Sequence, residues 1–209
     1  MPDDSGAAIR HPTVRAKHAA SLLVYRIGAD ETDVLMGMRG AGHRFMPNRL
    51  VFPGGRVDRA DFAAPFAVGL MPQTDAALRK NANPALARAL ALAAARELTE
   101  ETGLSLGVPP RLDGLRYLAR AVTPPGGPIR FNARFLAVPA ACVTGELGGD
   151  GELEGLRFYP VAEALALGLA LPTRLVLERL KAWLGKTEAE RTGETRTPVL
   201  LRDRGWVLE

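Results

Sequence analysis

The segment with the clearest chemical potential is Arg96-Glu97-Leu98-Thr99-Glu100-Glu101-Thr102-Gly103-Leu104. Residues three and four apart share a helix face, so a helix here projects Glu97, Glu100 and Glu101 from one side. That placement is unfavourable on its own. The carboxylates repel one another, and they sit near a helix C-terminus, where the dipole favours cations. A divalent cation relieves both penalties. Hard oxygen donors with positions left for water and phosphate suit magnesium or manganese. Softer metals find no partner set: Cys142 is the single cysteine, and His11, His18 and His43 are scattered. An E-x-x-E-E run alone reads as a solvated helix face. Its company distinguishes this one. Arg96 leads it, Gly103-Leu104 closes it, and Phe52-Pro53-Gly54-Gly55 lies upstream.

The elements that must position these residues follow from pattern. Pro84 opens a run, PALARALALAAARELTEETG, of strong helix formers. Asn83 suits the N-cap and Gly103 the C-terminal stop, which predicts a helix of about five turns. Before it, Ala19 to Ile27 and Asp33 to Met38 read as antiparallel strands, and Arg39 to Asn48 as a loop. Leu50 to Phe52 is a third strand, stopped by Pro53-Gly54-Gly55. Residues 62–83, with Pro65, Gly69 and Pro72, read as irregular. Beyond the helix, Leu115 to Val122, Phe131 to Val138 and Gly155 to Tyr159 are strand-like. Val161 to Leu167 and Thr173 to Leu184 are helical, the latter amphipathic. Val199 to Leu201 is a final extended piece. Strands flank the main helix on both sides, which favours a mixed α/β (α+β) layered fold.

With these residues in view, the chain resembles the Nudix hydrolases. Their box is G-x5-E-x7-R-E-U-x-E-E-x-G-U, U being a bulky aliphatic. Arg96, Glu97, Leu98, Glu100, Glu101, Gly103 and Leu104 match its right half. Gly55, within FPGG, matches the first glycine. Two departures stand out: Asp61 replaces the first glutamate, and 34 residues separate Asp61 from Arg96 instead of 7. The resemblance is to a branch whose box carries a long insert. It spans roughly residues 18 to 165, including Arg130-Phe131-Asn132-Ala133-Arg134-Phe135 and Glu152-Leu153-Glu154. It implies a mixed sheet sandwiched between helices, and Mg2+ (or Mn2+) as cofactor. It implies Glu97, Glu100, Glu101 and the Gly55 carbonyl as metal ligands. Arg96 would orient the cluster by ion pairing, with Asp61 supporting that network. The reaction would be attack of water on a P–O–P bridge. Glu97, Glu100 or Glu101 could take the proton, and so could a distant glutamate, for which Glu152 is the candidate.

The loop ahead of the box, Arg39 to Asn48, is similar to the signature of Nudix coenzyme A diphosphatases. Arg39 and Arg44 fall on its two arginines, while Gly40 and Asn48 depart from it. Paired arginines suit phosphate. Coenzyme A or its acyl esters is therefore the expected substrate. ADP-ribose, NADH or nucleotide sugars are the alternative, and a ligand-binding module without catalysis is the other.

Composition bounds the rest. Hydrophobic residues make up 47% and charged residues 24%, an ordinary globular balance. A net charge of +4, from 27 basic and 23 acidic residues, is too small to argue for nucleic acid. One cysteine excludes an intramolecular disulfide, and Cys142, in apolar surroundings, is expected to be buried. Trp183 and Trp206 are expected to pack rather than stack on a base. No run reaches the roughly 18 apolar residues of a membrane span, and the N-terminus lacks a signal-peptide layout. The expected organisation is a flexible arm over 1–17 and one domain over 18–209. That domain would carry an insert at about 62–83 and a C-terminal helical extension. The expected setting is cytoplasmic, with a small nucleotide-like diphosphate as partner and a possible homodimer.

Overall fold

The computed structural model describes residues 14–29, 31–40, 42, 47–126, 128–201 and 205–209. Among the described residues nine strands make one mixed sheet: β1 (Lys17–Ile27), β2 (Thr32–Arg39), β3 (Arg49–Val51), β4 (Gly54–Arg56), β5 (Arg116–Val122), β6 (Phe131–Pro139), β7 (Leu153–Pro160), β8 (Pro198–Leu201) and β9 (Gly205–Leu208). The order is β3-β2-β1-β6-β5-β8-β9, with β4 beside β1 and β7 beside β2. The axis is the parallel pair β1–β6, in register from Lys17 opposite Phe131 to Tyr25 opposite Pro139. The helices are α1 (Pro72–Arg79), α2 (Pro84–Thr102), α3 (Val161–Ala166), α4 (Leu171–Leu184) and α5 (Glu188–Thr192). Among the described residues no helix is long and apolar enough to cross a membrane.

Alternation along β1 divides the core. Ala20, Leu22 and Val24 join the cluster under α2, with Leu90, Ala94 and Leu98. Leu23 and Tyr25 face the opposite cluster under α4, with Val176, Leu177, Leu180 and Trp183. The strand period of two thus feeds both faces of a sheet covered by helices. Helix α2 begins and ends as its residues dictate. The Asn83 side chain accepts from Leu86 N at 2.8 Å, and Gly103 closes the helix at φ +74°.

Three expectations need correction. Residues 62–83 are not wholly irregular, because α1 forms there: Pro72 occupies the first turn and Thr74 and Leu78, one helical turn apart, are buried. The Gly54-Gly55 turn does not only stop a strand; it begins β4, paired with β1. The extended piece expected at Val199 to Leu201 is β8, which forms an antiparallel pair with β9 at the sheet edge. Cys142 is exposed rather than buried, in a short 3-10 turn after β6. Trp183 is in the core and Trp206 is half-exposed. Lys17, placed in the arm, opens β1, and residues 1–13 lie outside the described residues.

Strand β8 pairs with β5 only at Arg120, Ala121 and Val122. The first part of β5 therefore has no strand neighbour on that side among the described residues. Side chains reach the carbonyls there: Thr74 Oγ1 donates to Leu115 O at 2.9 Å, and Arg179 Nε donates to Leu118 O at 3.4 Å.

Candidate active site

Three segments meet at the last turns of α2. The first is the β3–β4 turn. Gly54 lies against β1 so closely that a Cβ would stand 2.5 Å from Ala20 O, and its φ is +154°. Its amide donates to Glu101 Oε2 at 2.7 Å. A Cβ on Gly55 would stand 2.1 Å from Glu97 Oε1. Both glycines are required by close approach, one to backbone and one to a carboxylate.

The second segment is the turn holding Asp61, which is buried. Its Oδ2 accepts from Asp58 N at 2.7 Å, and its Oδ1 accepts from Arg96 Nε at 3.0 Å. Arg96 fans its other donors to Glu97 Oε1 at 2.9 Å, Glu100 Oε2 at 2.8 Å and Arg56 O at 3.1 Å. One guanidinium therefore ties three carboxylates and the β4 backbone together. Asp61 lies in the 3-10 turn Ala60–Phe62, and its shorter side chain reaches Arg96 from there.

The third segment is the glycine-rich run 145–151, whose contact with the helix end has no local sequence pattern beyond its glycines. It crosses the end of α2, where helix carbonyls lack internal partners. Gly148 N donates to Thr102 O and Asp150 N to Glu100 O, each at 2.9 Å. Gly149 has φ +108°, and a Cβ there would stand 2.2 Å from Glu101 O. The density of glycines was the available signal: four stand within seven residues. The run delivers Glu152 to the start of β7. There Leu153 is opposite Arg39 at the end of β2.

Arg39 joins the groups. Its Nη2 lies 3.7 Å from Glu101 Oε1, 3.8 Å from Glu152 Oε1 and 3.5 Å from Gly54 O. Its Nε is buried without a hydrogen-bond partner. Arg44 lies outside the described residues. Asn48, where the coenzyme A signature has glycine, adopts φ +54°. Asparagine is among the non-glycine residues that tolerate that region best.

Electrostatics set Glu101 apart. Only 1% of it is exposed, and burial pushes its carboxyl up to about 8. The Gly54 amide and Arg39 oppose that rise, while Glu97 and Glu152 add to it. Glu101 Oε1 is buried and accepts no hydrogen bond. Burial also raises Glu97, against the opposing pull of Arg96. Glu100 is half-exposed. Among the described residues no three carboxylate, imidazole or thiol groups are gathered closely enough to hold an ion as they stand. Glu97 and Glu100 are turned towards Arg96. The donor chemistry nonetheless fits a hard divalent cation: carboxylates on one helix face, a glycine turn alongside, and one buried carboxylate oxygen unsatisfied.

No family model matches the sequence, and no curated protein does. Solved structures do match. A Nudix hydrolase from Alicyclobacillus acidocaldarius is 26% identical, with TM-score 0.65 over 85% of this chain and 96% of its own. The Nudix domain of NrtR from Shewanella oneidensis, solved with ADP-ribose, is 14% identical, with TM-score 0.54 over 82% of this chain and 90% of its own. A MutT Nudix hydrolase from Burkholderia pseudomallei is 18% identical, with TM-score 0.53 over 80% and 99%. The fold is therefore the Nudix fold, a mixed sheet with helices on both faces.

Proposed function

We propose that this Nudix-fold chain is a divalent-metal-dependent hydrolase that cleaves a diphosphate linkage in a nucleotide-derived small molecule. The observation that carries the proposal is the unsatisfied Glu101 Oε1, buried beside Gly54 and Gly55 on the helix face shared with Glu97 and Glu100. A buried carboxylate oxygen without a donor is costly, and a cation is the partner that removes the cost. Glu97, Glu100, Glu101 and the Gly55 carbonyl are the proposed ligands of magnesium or manganese. When bound, the ion supplies charge neutralisation at the bridging oxygens and activation of water.

The chain's own residues do the rest. Arg96, braced by Asp61, holds Glu97 and Glu100 on the site side of α2. A carboxylate takes the proton from the attacking water. Glu152 is the proposed base from outside the helix, supported by its place with Glu101 around Arg39. Arg39 is the proposed phosphate contact. Its contacts to oxygen among the described residues are all 3.5 Å or longer, which leaves its donors available to a substrate. With Arg44 it forms the proposed coenzyme A subsite, supported by the spacing of the two arginines and by the left-handed Asn48. The second reading is an ADP-ribose-like substrate, favoured by the ligand in the NrtR domain. A binding module without catalysis fits less well, because Glu97, Glu100 and Glu101 are all retained.

The test is incubation with magnesium or manganese and a panel of coenzyme A, acyl-coenzyme A, ADP-ribose, NADH and nucleotide sugars. The Glu101→Gln variant serves as control. Cleavage of coenzyme A to 4′-phosphopantetheine and 3′,5′-ADP supports the Arg39 and Arg44 subsite. Cleavage of another member keeps the chemistry and discards that subsite. Turnover that survives intact in Glu101→Gln sinks the metal-site assignment.

A further inference from the structure

A second charged cavity lies where β8 leaves β5 uncovered. Its volume is about 130 Å3, room for several waters and so for a five-atom tetrahedral oxyanion. It is built from α1, the start of β5, α4, α5 and residues 194–197. None of its lining residues belongs to the acidic cluster. Position in the sheet separates the two. Gly55 on β4 is opposite Ala20 on β1, Ala20 is opposite Arg134 on β6, and Arg134 is opposite Arg120 on β5. Arg116, at the cavity, lies four residues further along β5. Three strand spacings and four residues of rise put the cavity about 20 Å from the glycine turn.

The lining is cationic. Arg116, Arg179, Arg191 and Arg196 face it, against Glu188 and Glu194. Glu194 is already occupied by Arg179 at 2.5 Å and Lys186 at 3.1 Å. Glu188 meets Arg191 at 3.2 Å, but its side chain is 71% exposed, so water screens the pair. Arg116 Nη1 donates to the Asp113 and Leu115 carbonyls. Neither Arg116 nor Arg196 meets a carboxylate among the described residues. Arg191 lies over the Trp183 ring, 5.0 Å from its centroid, which fixes the guanidinium. Its Nε is buried and has no hydrogen-bond partner. A guanidinium held on an indole and paired only with an exposed glutamate, beside an exposed arginine that meets no carboxylate among the described residues, leaves positive charge and donors to an oxyanion in the cavity.

We infer that this cavity is a binding site for a phosphate group, as the free ion or as the end of a small phosphomonoester, distinct from the acidic site. Arg191 and Arg196 are its principal donors. Arg116 and Arg179 add positive charge behind them.

The test uses the full chain with chelator present, so that the acidic cluster repels the probe. Titration calorimetry is run with inorganic phosphate, with glycerol 3-phosphate and with chloride at equal ionic strength. The wild type, Arg191→Gln, Arg196→Gln and Arg39→Gln are compared, with melting temperatures to confirm folding. Arg196 is exposed, so its variant leaves the packing untouched. The expected result is saturable 1:1 phosphate binding, weakened at least tenfold by Arg191→Gln and by Arg196→Gln and unchanged by Arg39→Gln. Equal binding of glycerol 3-phosphate identifies a phosphomonoester end as the ligand, and its failure identifies the free ion. Absence of saturable binding overturns the inference. So does binding that folded Arg196→Gln retains in full, or binding lost only in Arg39→Gln.

Discussion

Replacing Gly55 by alanine separates chemistry from folding. The backbone there is not in the left-handed region, so alanine is tolerated conformationally. Its methyl would stand 2.1 Å from Glu97 Oε1, where ordinary contact begins at 3.4 Å, so the carboxylate must retreat by about 1.3 Å. That movement loosens the 2.9 Å bond from Arg96. Arg96 is 27% exposed at the side chain, so the lost pair costs no more than about 1 kcal/mol. Catalysis is far more sensitive, since a misplacement of about 1 Å can cost about 100-fold in rate. Gly54→Ala is the opposite case. Its Cβ meets Ala20 O and Ser21 Cα, both at 2.5 Å, so backbone must move and β4 must part from β1. The expected outcome for Gly55→Ala is kcat for metal-dependent phosphate-product release about 100-fold down, with a melting temperature within a few degrees of wild type. Gly54→Ala should melt far lower. A folded Gly55→Ala with wild-type kcat would refute the view that Glu97 must sit where it does. Unfolding as severe as that of Gly54→Ala would refute the division of labour between the glycines.

Arg96→Ala leaves the buried Asp61 carboxylate without its cation, and stability measured by urea unfolding should drop by about 2 kcal/mol. Adding Asp61→Asn should recover part of that loss, and strict additivity would contradict the pairing. Gly149→Ala pushes the loop off Glu101 O and strains two helix-capping bonds, for about 2 kcal/mol in the same assay. An unchanged midpoint would show that the loop does not bear on the helix end. His18 has its pKa lowered by burial first and then by Arg134, Arg15 and Arg120. A depressed imidazole contributes stability that is present above its ordinary value of 6.5 and is lost as pH falls through the folded value. Unfolding free energy should therefore decline below pH 6.5, by no more than about 1.4 kcal/mol per pH unit from this group. His18→Asn, which keeps an acceptor for Arg134 Nη1, should flatten the decline; an unaltered slope would assign it elsewhere.

The main helix was legible because every level agreed: an N-cap asparagine, proline in the first turn, an alanine-rich interior and a glycine stop. The acidic cluster was legible for the same reason, since its geometry follows from spacing alone. What escaped depended on partners distant in sequence. Gly54-Gly55 reads as a turn, and only the nearness of Ser21 and Glu97 explains why it is a strand. Helix α1 has two fully buried positions amid prolines and glycines, too few for a period. Helix α5 is short but carried a signal that was missed, the capping box of Thr187 and Glu190. Cys142 was misjudged from its neighbours' polarity, because the 3-10 turn after β6 leaves none of its three residues buried. The capping of α2 by residues 145–150 is tertiary and has no local sequence pattern beyond its glycines.

That capping bears on why three glutamates are tolerated at the wrong end of a helix. The terminal carbonyls of Glu100 and Thr102 are already paired, which removes part of the negative end of the dipole. Arg96 bonds one oxygen each of Glu97 and Glu100 and offsets part of their charge, and the Gly54 amide holds one oxygen of Glu101. Among the described residues Glu101 Oε1 is the carboxylate oxygen of the cluster that is both buried and without a hydrogen-bond donor. A cation that binds there must draw Glu97 and Glu100 away from Arg96. Affinity is therefore a competition between ion and guanidinium, and Asp61 keeps Arg96 from leaving. Magnesium at ten times its dissociation constant should stabilise the folded chain by about 1.4 kcal/mol, read as a rise in melting temperature. Glu101→Gln should largely abolish that rise, because the amide brings no charge to the ion. Asp61→Asn should enlarge it, because a less firmly anchored Arg96 yields its carboxylates more readily. Equal magnesium shifts in all three proteins would mean that the ion binds elsewhere.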